Sequence, residues 1–311
     1  MDRIGQGSNG GHPLNSRRVV TIEAPAKINL GLEIIEKRPD GYHEIRTVMV
    51  MLQLSDTLRV YADGPPSGTD LPTIPAETNL VTAALAAFRQ AVPGSPELGW
   101  TIAKRIPVAA GLGGASSNAA AALLAANELA GHALSRDAMY DLAGMLGSDI
   151  TFFLEGPAAF ACGRGTELES LPPVDQPVTL LLHGCTIAEK TLTLYSMITP
   201  DDMTDGSRSS RARRAVEDDS IPTSPDLANA FSRPLSILVP DVLELQKEIS
   251  AIGIDRFGLS GAGPTHYVIG RDSCEALTAK TPKDRRFGPF TTISTRTRMT
   301  PLAVRSAITR A

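Results

Sequence analysis

Glycines and serines are concentrated in the run Pro107-Val108-Ala109-Ala110-Gly111-Leu112-Gly113-Gly114-Ala115-Ser116-Ser117-Asn118, which leads into the alanine- and leucine-rich stretch 119–130. Gly111, Gly113 and Gly114 allow a backbone to come close to a ligand and to adopt positive φ. Ser116 and Ser117 stand where a helix should begin, as capping groups and hydroxyl donors. A helix N-terminus presents unpaired N–H groups and the positive end of a dipole, which favours a polyanion. The same residues also suit a turn that merely caps an alanine-rich helix, and the run alone does not choose between the two. It lacks the Lys of G-x-x-x-x-G-K-[ST], and no acidic residue closes a βαβ unit as dinucleotide binding requires. Phosphate binding here would therefore rest on backbone amides and serine hydroxyls.

The elements around this run follow from periodicity. A strand over 100–106 feeds it, and the helix after it ends near Gly131. Ser135 is placed to cap a further helix that runs to Gly147, where a turn through Ser148 and Asp149 follows. Upstream, 19–23 is a short strand. Over 27–35 the apolar Ile28, Leu30, Leu32 and Ile34 alternate with Lys27, Asn29, Gly31 and Glu33. That period of two predicts a half-buried strand with Lys27 and Asn29 together on the face away from the core. A turn at 37–41 and strands at 45–54 and 58–61 continue the sheet, then a Pro- and Gly-rich loop over 63–76 and a helix over 79–91. Glu23, Glu33 and Glu44 are expected to be solvated charges at strand ends.

The second half begins after Pro172 and Pro173. Strands are expected at 178–183, 256–260, 265–269 and 290–297, with helices at 240–252 and 273–280. Gly261-Ala262-Gly263 joins the middle two strands as a tight turn. Residues 201–220 are polar and mixed in charge, and predict a flexible loop. The pattern is an α+β chain in two lobes: a disordered tail over 1–17, one domain over 18–172 and a second over 173–311.

Composition limits the function classes. The chain has 311 residues, 42% hydrophobic and 21% charged, which suits a globular protein with a sizeable core. The net charge of −4 supplies no global field for nucleic acid or an anionic membrane. Three cysteines (Cys162, Cys185 and Cys274) without CxxC or His-rich spacing argue against a disulfide framework or structural zinc, and predict buried, inert thiols. No stretch approaches the ~20 apolar residues of a membrane helix. A cytoplasmic protein, monomeric or a weak homodimer, with neither nucleic-acid nor membrane partners, is the expectation.

Three segments taken together resemble the signature motifs of the GHMP kinases: Pro25-Ala26-Lys27-Ile28-Asn29-Leu30, the run 107–118, and Gly258-Leu259-Ser260-Gly261-Ala262-Gly263-Pro264-Thr265. The resemblance implies an ATP-dependent small-molecule kinase of two lobes. The N-terminal lobe would be like domain 2 of ribosomal protein S5, the C-terminal lobe ferredoxin-like, and the active site would lie in the cleft between them. Arg38-Pro39-Asp40-Gly41-Tyr42-His43 brings the chain nearest to the members that phosphorylate the 2-hydroxyl of 4-diphosphocytidyl-2-C-methyl-D-erythritol. By that resemblance Lys27 and Asp149, 122 positions apart, form the catalytic pair. Asp149 would take the proton of the substrate hydroxyl, and Lys27 would hold the carboxylate ionised. The run from Pro107 to Ser117 would bind ATP. Asn29, Tyr42, His43, Gly261 and Gly263 would contact the substrate, with Tyr42 against the cytosine ring and His43 at its hydrogen-bonding edge. Mg²⁺ is expected with ATP. No carboxylate cluster marks a protein metal site, and Ser117 is the one candidate ligand.

Each residue also has a plainer reading: Lys27 as a snorkelling strand-end lysine, Asp149 as a cap, Tyr42 as a packed turn aromatic and His43 as a surface residue. Their joint occurrence favours the site. A GHMP kinase for another alcohol would leave Tyr42 and His43 without a role, and a nucleotide or metabolite sensor on the same scaffold would not need Lys27 and Asp149. An RNA-binding module lacks a basic stripe to support it. Ala115 stands where many relatives have glycine, and Asn229-Ala230 where Asn is often followed by an acidic residue.

Overall fold

The computed structural model describes residues 18–304 except 63, 65–67, 69, 71–74, 186 and 281–289, together with 306 and 307. The expected tail and most of the 63–76 loop lie outside these. Two long strands, β1 (Val19–Lys37) and β2 (His43–Ala62), form a hairpin that is the spine of the molecule. Its turn is built as Pro39, Asp40 and Gly41 predict: the Arg38 N–H donates to the Tyr42 carbonyl at 2.8 Å and the Tyr42 N–H to Asp40 Oδ1 at 3.1 Å. The chain continues through α1 (Leu80–Ala91), β3 (Leu98–Ala103), α2 (Gly114–Leu129), α3 (Arg136–Leu146), α4 (Ser148–Glu155), β4 (Ala158–Cys162) and β5 (Glu167–Ser170). Then come β6 (Pro177–His183), α5 (Lys190–Ser196), α6 (Ser207–Glu217), α7 (Ser232–Leu238), α8 (Asp241–Ala251), β7 (Phe257–Leu259), β8 (His266–Ile269), α9 (Arg271–Lys280), β9 (Phe290–Arg296) and β10 (Ser306–Ala307).

The first sheet has the order β10-β1-β2-β4-β5, with β3 also pairing with β2. The second has the order β7-β8-β6-β9, antiparallel throughout. With α5 to α8 between β6 and β7 and α9 between β8 and β9, this is the βαββαβ arrangement expected of a ferredoxin-like lobe. Pro172 and Pro173 fall between the sheets, and β10 returns the chain to the first one.

The first sheet is buried on both faces, so the half-buried strand inferred for 27–35 is corrected. Val20, Ile22 and Ala24 pack with α1 to α4, whereas Ala26, Ile28 and Leu30 pack with β6, β8 and α6. All six are even-numbered, so the strand has changed face between them. The change falls at the irregularity between Pro25 and Lys27, where β1 advances two residues while β2 advances four, and β2 changes face there as well. Lys27 and Asn29 are thereby turned to the side from which α2 and its glycine-rich loop approach.

Other expectations also need revision. Residues 207–217 are helix α6, not loop; Ser209, Ala212 and Val216 are its buried seam. The Ser209 N–H donates to Glu33 Oε2 at 2.6 Å, so Glu33 is a buried acceptor and not a solvated charge. The three cysteines are free but only half-buried, and loss of solvent raises each thiol above its ordinary pKa. Asp149 lies in the first turn of α4, not in a turn before it.

Candidate active site

The glycine-rich run crosses β1 near its middle. The Lys27 N–H donates to the Leu112 carbonyl at 2.9 Å, tying strand to loop. Gly113 has φ +70°, and a Cβ there would stand 2.9 Å from Lys27 Cγ and 3.0 Å from Phe153 Cζ. Gly114 then opens α2 with Gly113 as its N-cap, so Ser116 and Ser117 lie inside the first turn and do not cap the helix, which corrects the capping role expected of them. Val108, Ala109 and Ala115 are exposed along the loop, while Ala110, Leu112 and Ser117 are buried under it. The Ser117 hydroxyl has no hydrogen-bond partner among the described residues, so the first turn of α2 holds a buried, unsatisfied oxygen.

Lys27 is 4% exposed, and its ammonium meets one amide oxygen and one carboxylate. It donates to Asn29 Oδ1 at 2.7 Å and lies 3.3 Å from Asp149 Oδ2. Asn29 is fixed in turn, donating through Nδ2 to Thr47 Oγ1 at 2.9 Å, and Thr47 donates to the Gly31 carbonyl at 2.6 Å. The amide oxygen of Asn29 is therefore committed to the lysine. The Asp149 side chain is 38% exposed, so its carboxylate has one side on Lys27 and another open to a ligand. Its place in the first turn of α4 puts it among unpaired N–H groups, where negative charge is favoured.

The second glycine loop closes against the first. Ser260 Oγ donates to the Gly111 carbonyl at 2.9 Å, and a Cβ on Gly111 would come within 2.3 Å of the Ser260 carbonyl oxygen. Gly261 lies beside the pair: a Cβ there would be 3.5 Å from both Lys27 Nζ and Asn29 Oδ1. Gly263 is turned the other way, its Cα towards Leu235 and Leu259. Asn229 holds this loop, donating to the Leu259 and Gly261 carbonyls at 2.9 Å each. The Asn229-Ala230 departure thus leaves the asparagine in service.

At the hairpin turn, Tyr42 is half exposed and the Arg164 guanidinium lies over its ring, 3.5 Å from the centroid. His43 stacks on Tyr195 of α5 at 5.0 Å and 16°, and Tyr195 meets Phe231 edge-on at 4.8 Å. Partial burial, then the charge of Lys37, holds His43 below its ordinary pKa, so the ring is neutral at pH 7. Burial pushes the Tyr195 phenol up to about 12, and the Asp149 carboxylate adds to the shift. Tyr195 thus touches His43 and lies within the field of Asp149. It carries no motif: in the short helix α5 an aromatic residue next to the buried Leu194 signals packing.

Residues 79–157 match the family model of the GHMP kinases N terminal domain. The 4-diphosphocytidyl-2-C-methyl-D-erythritol kinase of Dehalococcoides mccartyi is 35% identical over 82% of this chain and 90% of its own length. That of Pelotomaculum thermopropionicum is 38% identical over the same shares. A crystal structure of 4-(cytidine 5'-diphospho)-2C-methyl-D-erythritol kinase superposes with a TM-score of 0.73 at 27% identity, covering 89% of this chain and 98% of that one. Homoserine kinase from Cytophaga hutchinsonii shares the fold alone, at 12% identity and a TM-score of 0.68. The α+β architecture on two sheets, the paired glycine loops and these relatives together assign the chain to the 4-diphosphocytidyl-2-C-methyl-D-erythritol kinase family of the GHMP kinases.

Proposed function

We propose that this protein transfers the γ-phosphoryl group of ATP to the 2-hydroxyl of 4-diphosphocytidyl-2-C-methyl-D-erythritol, giving the 2-phosphate and ADP in the making of isoprenoid precursors. The contact between Lys27 and Asp149, 3.3 Å from ammonium to carboxylate beneath the glycine-rich loop, carries this reading. Asp149 accepts the hydroxyl proton as the oxygen attacks the γ-phosphorus and the bond to the β,γ-bridging oxygen breaks. Lys27 keeps the carboxylate charged and offsets the charge of the alkoxide. Asn29 fixes the lysine by occupying one of its donors. General-base action of this kind contributes ~10²–10⁴-fold, and the remainder comes from alignment and from neutralising phosphate charge.

Residues 107–117 present the loop and the N-terminus of α2 to the triphosphate. Tyr42 and His43 take the cytosine, one by its face and one by its edge. Mg²⁺ bound with the triphosphate would neutralise charge there; Ser117 Oγ, buried and unpartnered, fits a hard cation that keeps most of its ligands from phosphate and water. Among the described residues no cluster of three or more His, Cys, Asp or Glu offers a metal site independent of the nucleotide, and no helix is long and apolar enough to cross a membrane.

The test is ADP release by the purified chain with ATP and Mg²⁺, comparing the cytidyl alcohol with homoserine, mevalonate and galactose. Turnover confined to the cytidyl alcohol is expected. Turnover with one of the others instead would overturn the substrate assignment.

A further inference from the structure

Lys190, the first residue of α5, belongs to none of the sequence motifs, yet its ammonium sits between the two glycine loops. It donates to the Ala109 carbonyl at 2.5 Å in the first loop and to the Gly263 carbonyl in the second. Ala109 itself has φ +55°, a left-handed conformation uncommon for alanine. Among the described residues no carboxylate forms an ion pair with Lys190, in contrast to Lys27 and Lys104. An ammonium has three donors, and two are taken by uncharged acceptors. Half-buried without a counter-ion, this charge is poorly compensated: loss of solvent is the first cause and the Lys27 charge a further one of a pKa lowered to about 8, against the raising effect of Cys185.

A strap between two carbonyls needs a donor but not a net charge. The charge is explained if an anion completes the site. Lys27 and Lys190 flank one glycine loop, at Gly261 and Gly263, and among the described residues only Asp149 forms an ion pair with either of them. We propose that Lys190 is a phosphate-binding residue of this cleft, its ammonium meeting phosphate oxygens of a bound nucleotide where the two loops converge. This inference rests on the proposed function. Two phosphate chains could supply the oxygens, the triphosphate of ATP and the diphosphate of the cytidyl alcohol.

The experiment compares wild type with Lys190→Met, which keeps the length and removes the charge, and Lys190→Arg, which restores it. KM and kcat are measured for each substrate, and binding of tripolyphosphate and of CDP, each alone, is measured by calorimetry. The Met variant is expected to raise one KM at least tenfold with a smaller effect on kcat, and the Arg variant to recover most of the loss. A rise confined to ATP, matched by weaker tripolyphosphate binding, assigns the contact to the triphosphate. A rise confined to the alcohol, matched by weaker CDP binding, assigns it to the diphosphate. Unchanged KM values and unchanged binding of both probes would overturn the proposal. So would equal losses for both substrates with a lowered melting temperature and no rescue by Arg, the signature of a strap. Absent turnover in wild type would instead sink the kinase reading, since the two binding measurements do not depend on transfer.

Discussion

The carboxylate of Asp56, wholly buried on β2, accepts the side-chain amide of Asn118 at 2.9 Å and the backbone N–H groups of Arg105 and Ile106 at 2.7 and 2.8 Å. Lys104 adds its ammonium to the same carboxylate. Ile106 immediately precedes the glycine-rich run and Asn118 closes it, so one side chain clamps both ends of the phosphate loop. Removing one partner of such a buried charged network costs about 3–5 kcal/mol, because the others are left desolvated. Asp56→Ala is expected to lose about that much in urea unfolding. A loss below ~1 kcal/mol would show that water replaces the carboxylate and that the clamp is dispensable.

Asp149→Asn separates chemistry from folding. Lys27 stays buried in this variant, but the asparagine Oδ1 can still accept from its ammonium and the side chain is more than a third exposed, so the loss of stability should be modest. The amide cannot accept the hydroxyl proton, and kcat should fall ~10²–10⁴-fold while the KM for ATP changes little. Rapid-quench measurement of a single turnover reads the chemical step directly. A rate within tenfold of wild type would remove Asp149 as the base.

Residues whose roles are local were legible in the sequence. The glycine run, the Ser135 cap and the turn at 38–42 depend on neighbours within a few positions, and the structure builds each of them as the residue types require. Whatever depends on a distant partner was not legible. Alternation in β1 was read as one face out, because nothing in a strand's own sequence records a second sheet packed on it or a bulge that swaps its faces. Helix α6 was hidden by its arginines, since its buried seam is Ser209, Ala212 and Val216, small residues that give almost no apolar signal. Glu33 looked solvated because its partner lies 176 residues away. Asp56, Tyr195 and Lys190 share this property: each is ordinary in sequence and acquires a role only from what folding brings to it.

Gly111 tests the contact between the two glycine loops. It has φ +80°, where an L side chain is strained by roughly 1–2 kcal/mol, and a Cβ would overlap the Ser260 carbonyl at 2.3 Å. Backbone, not a flexible side chain, is in the way, so the loops must part. Gly111→Ala is expected to lower kcat/KM for ATP at least tenfold, with the cytidyl alcohol less affected. If both substrates kept their kcat/KM, the direct contact of the two loops would not matter to phosphate binding.

His266 sets an acid limit on stability. Fully buried on β8, it has Gln246 Nε2 at 2.9 Å from its Nε2 and the Pro264 carbonyl at 3.2 Å from its Nδ1. A neutral ring with the proton on Nδ1 satisfies both, donating to the carbonyl and accepting from the amide. Loss of solvent pushes the pKa down to about 4, and His183 adds to the effect. The unfolded chain, with an ordinary pKa near ~6.5, binds the proton first, so stability falls as pH drops from about 6.5 towards 4. Above that window the group has no effect. By pH 5 the loss from this one residue is about 2 kcal/mol. Urea unfolding of wild type and His266→Gln at pH 7.5 and pH 5 isolates it, because the carboxylates that also titrate in acid are common to both. The variant should start less stable at pH 7.5 and lose less on acidification. Equal losses in the two proteins would mean that His266 is already protonated in the fold, with Gln246 turned to present its oxygen.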